Sequence, residues 1–250
     1  MDPVYRPEVG QRYSESYDHA AGVPVSASPA QVRAAFLQKV YVTLFAGLAI
    51  AMGTAFYLME TAVTALRAGQ ENLLTSIVTG QHLLVTFLVY IGMAFAAGAV
   101  SRMRGVNLLV YGLFTAATGV LISPLFLMAF VKAGMSHQII WNAFGITALV
   151  FGGLTLYVFV SKRDFSFLGG MLFIGLLVLL GFIGASFFFP AIGMGVTVGG
   201  IALFALFVLY DTSRIMNRLD ASEWVAGALS LFVDFINLFI RILSLLSRRR

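Results

Sequence analysis

Long apolar runs, broken by short polar segments, dominate the chain. Runs of about 20 mostly apolar residues are the length a membrane helix needs. Seven stand out: Val40–Met59, Leu83–Val100, Val106–Val131, Gln138–Val160, Phe165–Phe189, Ala191–Tyr210 and Trp224–Leu246. The breaks are polar or charged, at Arg67 to Gln81, Ser101 to Arg104, Lys132 to His137, Ser161 to Asp164 and Thr212 to Glu223. Between the fifth and sixth runs there is only Pro190 and its neighbours, and proline ends a helix by removing a donor and clashing with the preceding turn. Lipid-exposed sheet edges are forbidden because their backbone groups would go unpaired. The pattern therefore predicts an all-α integral membrane protein with seven transmembrane helices in one domain, over residues 33–247. Residues 1–32 are polar and mixed in sign, with Pro3, Pro7, Pro24 and Pro29. They read as a flexible N-terminal tail, not as a secretory signal, and residues 248–250 as a basic end.

Lysine and arginine in short loops set orientation. One side collects Arg6, Arg12, Arg33, Lys39, Arg102, Arg104, Lys162, Arg163, Arg214 and Arg218, and the other holds Arg67 and Lys132 until the C-terminus. This predicts a cytoplasmic N-terminus in a multi-pass inner-membrane protein. An odd number of crossings then puts Arg248, Arg249 and Arg250 outside, against the same rule.

Composition sharpens the class. Of 250 residues, 60% are hydrophobic and 11% charged, against about 45–50% and about 25% in soluble domains. With no cysteine, disulfides, thiolate metal sites and cysteine nucleophiles are excluded. The net charge of +5 lies in loops and tails and reads as membrane orientation, with no nucleic-acid partner. His19, His82 and His137 lack metal-ligand spacing, and no phosphate loop or nucleophile–base set stands out. Small residues spaced by four, at Gly195 and Gly199, Gly181 and Ala185, and Gly92 and Ala96, mark close helix packing. Pro124 should bend the third helix or free a carbonyl. Tyr5, Tyr13 and Tyr17 offer partner contacts on the tail.

Two acidic residues break the pattern. Asp211 ends the run Gly200–Tyr210, and Asp234 lies inside Trp224–Leu246. A charge at the bilayer centre costs roughly 2.5–3.5 kcal/mol on insertion scales. Antiparallel neighbours meet at residues equidistant from their turn. The midpoint of the pair falls near Ser222–Glu223, which predicts a turn at Asp220–Glu223 and a sixth helix continuing through Ile215 and Leu219. Asp234 follows Trp224 by ten residues, about 15 Å of helix. Leu231, Phe232, Phe235, Ile236, Leu238 and Phe239 should form an apolar sleeve around it, with Asn237 the polar exception. Two carboxyls in such a place relieve desolvation and repulsion by sharing one proton, so their titration belongs to the pair. The pair can serve as a proton switch, a cation site or a protease dyad. As calcium ligands, Asp211 and Asp234 alone suit passage more than storage. Local pairing is the plainer role: Asp211 with Arg214 on the same face, and Asp234 with Arg241, which otherwise anchors at the interface.

These residues carry a resemblance. Tyr210-Asp211-Thr212-Ser213-Arg214-Ile215 and Ser230-Leu231-Phe232-Val233-Asp234-Phe235-Ile236-Asn237-Leu238-Phe239 resemble the Bax inhibitor family of membrane proteins, bacterial members included. Asn142-Ala143-Phe144-Gly145-Ile146-Thr147-Ala148, Lys162-Arg163-Asp164-Phe165-Ser166 and Phe36-Leu37-Gln38-Lys39-Val40-Tyr41 add to it, so that it covers the chain from about Arg33 onward. The resemblance implies seven helices with the last one central. It also implies a pH-sensitive calcium leak with Asp211 and Asp234 as gate and sensor. An arginine from the end of the second helix is implied as a latch on the first aspartate; Arg102 is the nearest match and Arg104 the fallback, while spacing offers Arg214. An acidic residue that some members carry in the second helix has no counterpart around Tyr90, and Glu60 reads as interfacial.

The expectation is a cation leak, most simply for calcium as the permeating ion, with no tightly bound cofactor and no enzymatic activity. Its partners are the lipid bilayer, calcium and, in a second reading, another membrane protein such as a membrane protease that it regulates through its tail. An intramembrane aspartyl protease also places two aspartates on adjacent helices. Such enzymes carry Gly-x-Gly-Asp at the second one, where this chain has Leu231-Phe232-Val233-Asp234. A secondary transporter would show broken helices at mid-membrane, for which Pro124 is the one hint.

Overall fold

The computed structural model describes residues 24–70, 92–93, 95–103, 105–186 and 188–248. Six helices among them are long and apolar enough to cross a membrane. They are α1 (Ala30–Arg67), α2 (Asn107–Lys132), α3 (Gln138–Ser161), α4 (Gly169–Ser186), α5 (Gly193–Asn217) and α6 (Trp224–Arg248). The predicted span Leu83–Val100 lies mostly outside the described residues; within it, residues 95–100 are helical. The protein is an all-α multi-pass membrane protein.

Helix α6 is the hub. It packs against α5, α1, α3 and α2, and its Leu231, Phe232, Phe235, Ile236, Leu238 and Phe239 are all buried. Three of these make aromatic contacts in two directions. Phe232 meets Tyr111 and Phe114 of α2, Phe239 meets Phe126 of α2, and Phe235 meets Phe144 and Phe151 of α3. Buried aromatics at edge-to-face geometry add specificity to area burial. The apolar sleeve expected around Asp234 is therefore built. Asn237, its polar exception, bonds back to the Val233 carbonyl at 2.8 Å.

Helix α1 begins ten residues before the apolar run that announces it, and packs on α2. Close approach there needs glycine. A Cβ on Gly119 would stand 2.5 Å from the Ala51 carbonyl oxygen, and one on Gly47 would overlap the Tyr111 ring. By contrast, Gly92, Gly181, Gly195 and Gly199, expected at packing contacts, have nothing among the described residues within 4 Å of a built Cβ. Spacing by four puts small residues on one face but does not decide whether a helix or lipid covers it. Helix α2 runs unbroken through Pro124. Pro190 opens a short 3-10 turn before α5, as a reversal there requires.

The tail was expected over 1–32, but its last part belongs to the fold. Val25 is buried, its N–H donates to the Leu219 carbonyl at 2.8 Å, and Ser26 donates to the Asn217 carbonyl at 3.2 Å. Residues 1–23 lie outside the described residues.

The two kinds of glycine should separate on mutation. Gly119→Ala is expected to destabilise the protein by about 1–3 kcal/mol through overpacking. Gly112→Ala, with open space around the new methyl, should stabilise by about 0.5–1 kcal/mol through helix propensity. Unfolding in mixed detergent–dodecyl sulfate micelles measures both, and equal effects would contradict the packing.

Candidate functional site: a buried carboxylate pair

The site is set by the turn between α5 and α6. Asp220 accepts from the Ser222 amide at 2.8 Å, and the Asp220 amide donates to Glu223 Oε2 at 3.3 Å. The Glu223 carbonyl accepts from Gly227 N–H at 3.0 Å, opening α6. These side-chain bonds fix the loop ahead of α6, Asp220 bonding the backbone two residues on as turn aspartates do. The turn falls where the midpoint of the aspartates placed it. From it the two helices run antiparallel, facing each other along their length. Arg214 faces Ser230, Asp211 faces Asp234, Gly200 faces Arg241 and Gly193 faces Arg248.

Asp211 is 7% exposed and Asp234 3%. Their carboxyls lie against each other across the helix pair, close enough to share a proton. Arg214 Nε stands 3.5 Å from Asp211 Oδ1, one turn further along α5. Its guanidinium also donates to the Ser230 hydroxyl of α6 at 3.0 Å and lies over the Tyr210 ring. Ser230 in turn donates to the Ala226 carbonyl. Asp211 Oδ1, Asp234 Oδ2 and Arg214 Nε are buried without a hydrogen bond of their own. The contact is loose: two carboxyls face one guanidinium. A single proton on the pair makes the group neutral, and losing it leaves a net negative charge in a dry place.

Of the arginines considered as a latch, Arg214 is the one at Asp211. Arg102 instead pairs with Glu223 at 2.7 Å, on the turn that joins the two aspartate helices. Glu223 lies outside the apolar runs and offers a wetter carboxylate than Asp211. Arg104 lies outside the described residues. Arg241 does not pair with Asp234, because its side chain lies against Gly200, 2.9 Å from where a Cβ would be. Glu60 is not at a helix end, because α1 continues seven residues past it to Arg67; it meets His137, at the start of α3, at 2.7 Å, and His19 and His82 lie outside the described residues. Among the described residues no three His, Cys, Asp or Glu side chains gather into a metal-binding group. Calcium takes six to eight oxygens, so Asp211 and Asp234 alone fall far short of a site that would hold it. Ser230 and Glu223 were not singled out from the sequence. Ser230 was within reach of the same midpoint argument that paired the aspartates.

The chain matches known proteins along most of its length. A family model described as "Inhibitor of apoptosis-promoting Bax1" matches residues 33–250. Protein lifeguard 4 of Mus musculus is 33% identical over 248 residues, covering 98% of this chain and 96% of that protein. Bax inhibitor 1 of Schizosaccharomyces pombe is 33% identical over 231 residues, 89% and 80% of the two chains. An uncharacterized protein of Helicobacter pylori is 34% identical over 168 residues, 66% and 72%.

If each carboxyl relies on the other, shape and charge should part company. Asp234→Asn keeps a hydrogen-bonding partner for Asp211 and is expected to leave thermal unfolding in detergent near that of the native chain. Asp234→Leu leaves the Asp211 carboxyl without it and should cost about 1–3 kcal/mol. Equal melting of the two variants would show that the contact contributes nothing.

Proposed function

The chain belongs to the Bax inhibitor and lifeguard family, and on that footing we propose that it is a pH-sensitive cation leak, for calcium, gated by Asp211 and Asp234. The observation that carries this reading is the contact of two buried carboxyls with a single guanidinium between α5 and α6. With one proton the group is neutral, and the helices close on it. Without the proton the site carries excess negative charge in a low dielectric, and two ways of relieving it exist. A cation enters from one end, or the helices part and admit water. Arg214 competes with Asp234 for Asp211 and so biases the balance. Arg102, held on Glu223 at the turn, is placed to shift with that turn when α5 and α6 separate.

In this reading the protein lies in the inner membrane with a cytoplasmic N-terminus, following the lysine and arginine asymmetry of its loops. It performs no catalysis and needs no tightly bound cofactor; calcium is cargo. Regulation of another membrane protein is the second reading, favoured by one contact. Val25 ties the end of the tail to the Leu219 carbonyl at the foot of α5. A partner gripping residues 1–23 would therefore act on the helix that carries Asp211.

Calcium entry into proteoliposomes across a pH series tests the gate. The native chain should pass calcium with a rate that changes with pH, and Asp211→Asn and Asp234→Asn should each flatten that dependence. Equal, pH-independent flux in all three chains would defeat the mechanism. Removal of residues 1–23 should leave the flux intact; its loss would favour the regulatory reading.

A further inference from the structure

A second charged site lies at the same end of the bundle as the α5–α6 turn. Between the starts and ends of α1, α3 and α5 is a cavity of about 270 Å3. Three cations line it: Arg33 from the first turn of α1, and Lys162 and Arg163 from the end of α3. Among the described residues none of the three is ion-paired. The nearest acids in sequence look elsewhere. Asp164 accepts from the Ser166 amide at 2.8 Å and the Ser213 hydroxyl at 3.2 Å, and Asp220 accepts from Ser222. Ser26 and Asn217 add polar atoms to the rim, while Leu37, Val158 and Met216 give an apolar floor.

Depth and backbone both bear on what fits. Arg33 stands seven residues before the apolar run that opens at Val40, and Lys162 two residues after the run that closes at Val160. Both lie at the level of lipid headgroups, where the interface adds several ångströms on each side of the hydrocarbon. Lys162 also ends α3 in the left-handed conformation, with φ at 53°. Glycine is the usual residue there because any side chain strains that geometry.

The geometry points to an anionic phospholipid site: the phosphate lies among Arg33, Lys162 and Arg163, and the glycerol and first methylenes rest on the apolar floor. Basic pockets between membrane helices are suited to such headgroups. Three cations without a counter-ion among the described residues are complementary to a phosphate, and the floor gives a reason to prefer a lipid over a soluble phosphate ester. Met216 and Asn217 are two and three residues beyond Arg214 on α5. An occupied site thus braces the helix end that carries the carboxylate pair, although binding itself does not depend on the gate.

Lipid retained by the full chain after detergent purification, counted by native mass spectrometry, is the measurement. Phosphatidylglycerol should be retained in preference to phosphatidylcholine. Retention should fall about fivefold for each cation removed, in Lys162→Gly and in Arg33→Gln combined with Arg163→Gln. Arg218→Gln, which removes a charge outside the cavity, should retain the lipid. Lys162→Gly should melt no lower than the native chain in lipid-free detergent, since it relieves backbone strain. Equal retention of the two lipids overturns the site. So does an equal loss in Arg218→Gln, which would mean diffuse attraction, or a Lys162→Gly chain of lowered stability, which would mean a packing role. Displacement of the lipid by soluble glycerol phosphate also overturns it, by making the ligand a free phosphate ester.

Discussion

Two acidic side chains are kept out of water by a wall of phenylalanines, and among the described residues Arg214 is the positive charge they meet at close range. Helix α6 lies between α1, α2, α3 and α5, so a carboxyl at its middle has no way to reach solvent along its own flank. Asp211 comes to it because the turn at Asp220–Glu223 fixes the antiparallel register. Burial sets the stakes here. In water, two carboxyls and a guanidinium at these distances would interact weakly; in a low dielectric their charge count decides the energy of the whole arrangement. The register, the sleeve and the central placement of α6 all matter because they hold that count in a dry site.

Most other polar side chains in the spans are satisfied within their own helix. Thr118 donates to the Phe114 carbonyl, Thr147 to Ala143, Thr197 to Gly193 and Ser247 to Leu243, all one turn back. Such bonds hide a hydroxyl from lipid without tying one helix to another. The Tyr111 hydroxyl, which donates to the Thr43 carbonyl of α1, is a neutral exception. The carboxyl pair and the Arg214–Ser230 bond join α5 to α6 through groups that carry charge. A change of protonation therefore acts on that seam first. Among the described residues the α1–α2 seam has close packing and that uncharged Tyr111–Thr43 bond to respond with.

Much of this was legible in the residues. Twenty apolar positions in a row specify a spanning helix because the hydrocarbon thickness fixes the length, and five of the predicted spans coincide closely with α2 to α6. The contact of the aspartates was legible for a similar reason, since antiparallel helices with a short turn obey one arithmetic. What escaped was contact that depends on lateral placement. Gly195 and Gly199 looked like a packing face and have open space beside them, because periodicity names a face without naming its neighbour. Arg102 was assigned to Asp211, yet the loop that carries it ends nearer Glu223 in space. Val25 read as tail because it stands among polar residues and prolines, and its burial depends on a carbonyl 194 positions away at Leu219.

The placement of Glu223 connects these features. It opens α6, its side chain returns to the Asp220 amide, and it holds Arg102. One acidic residue thus shapes the turn and joins it to the segment before α2. Asp211 and Asp234 are brought together by the pairing of α5 with α6, and the turn is where that pairing is set. At the same end, Val25 grips Leu219, and the cavity lined by Arg33, Lys162 and Arg163 reaches Asn217. The opposite end of the seam is held differently, by Arg241 and Arg248 lying against Gly200 and Gly193, where lost side-chain volume on one helix receives the long side chains of the other. Polar bonds thus hold the seam at the turn end, and close packing holds it at the other.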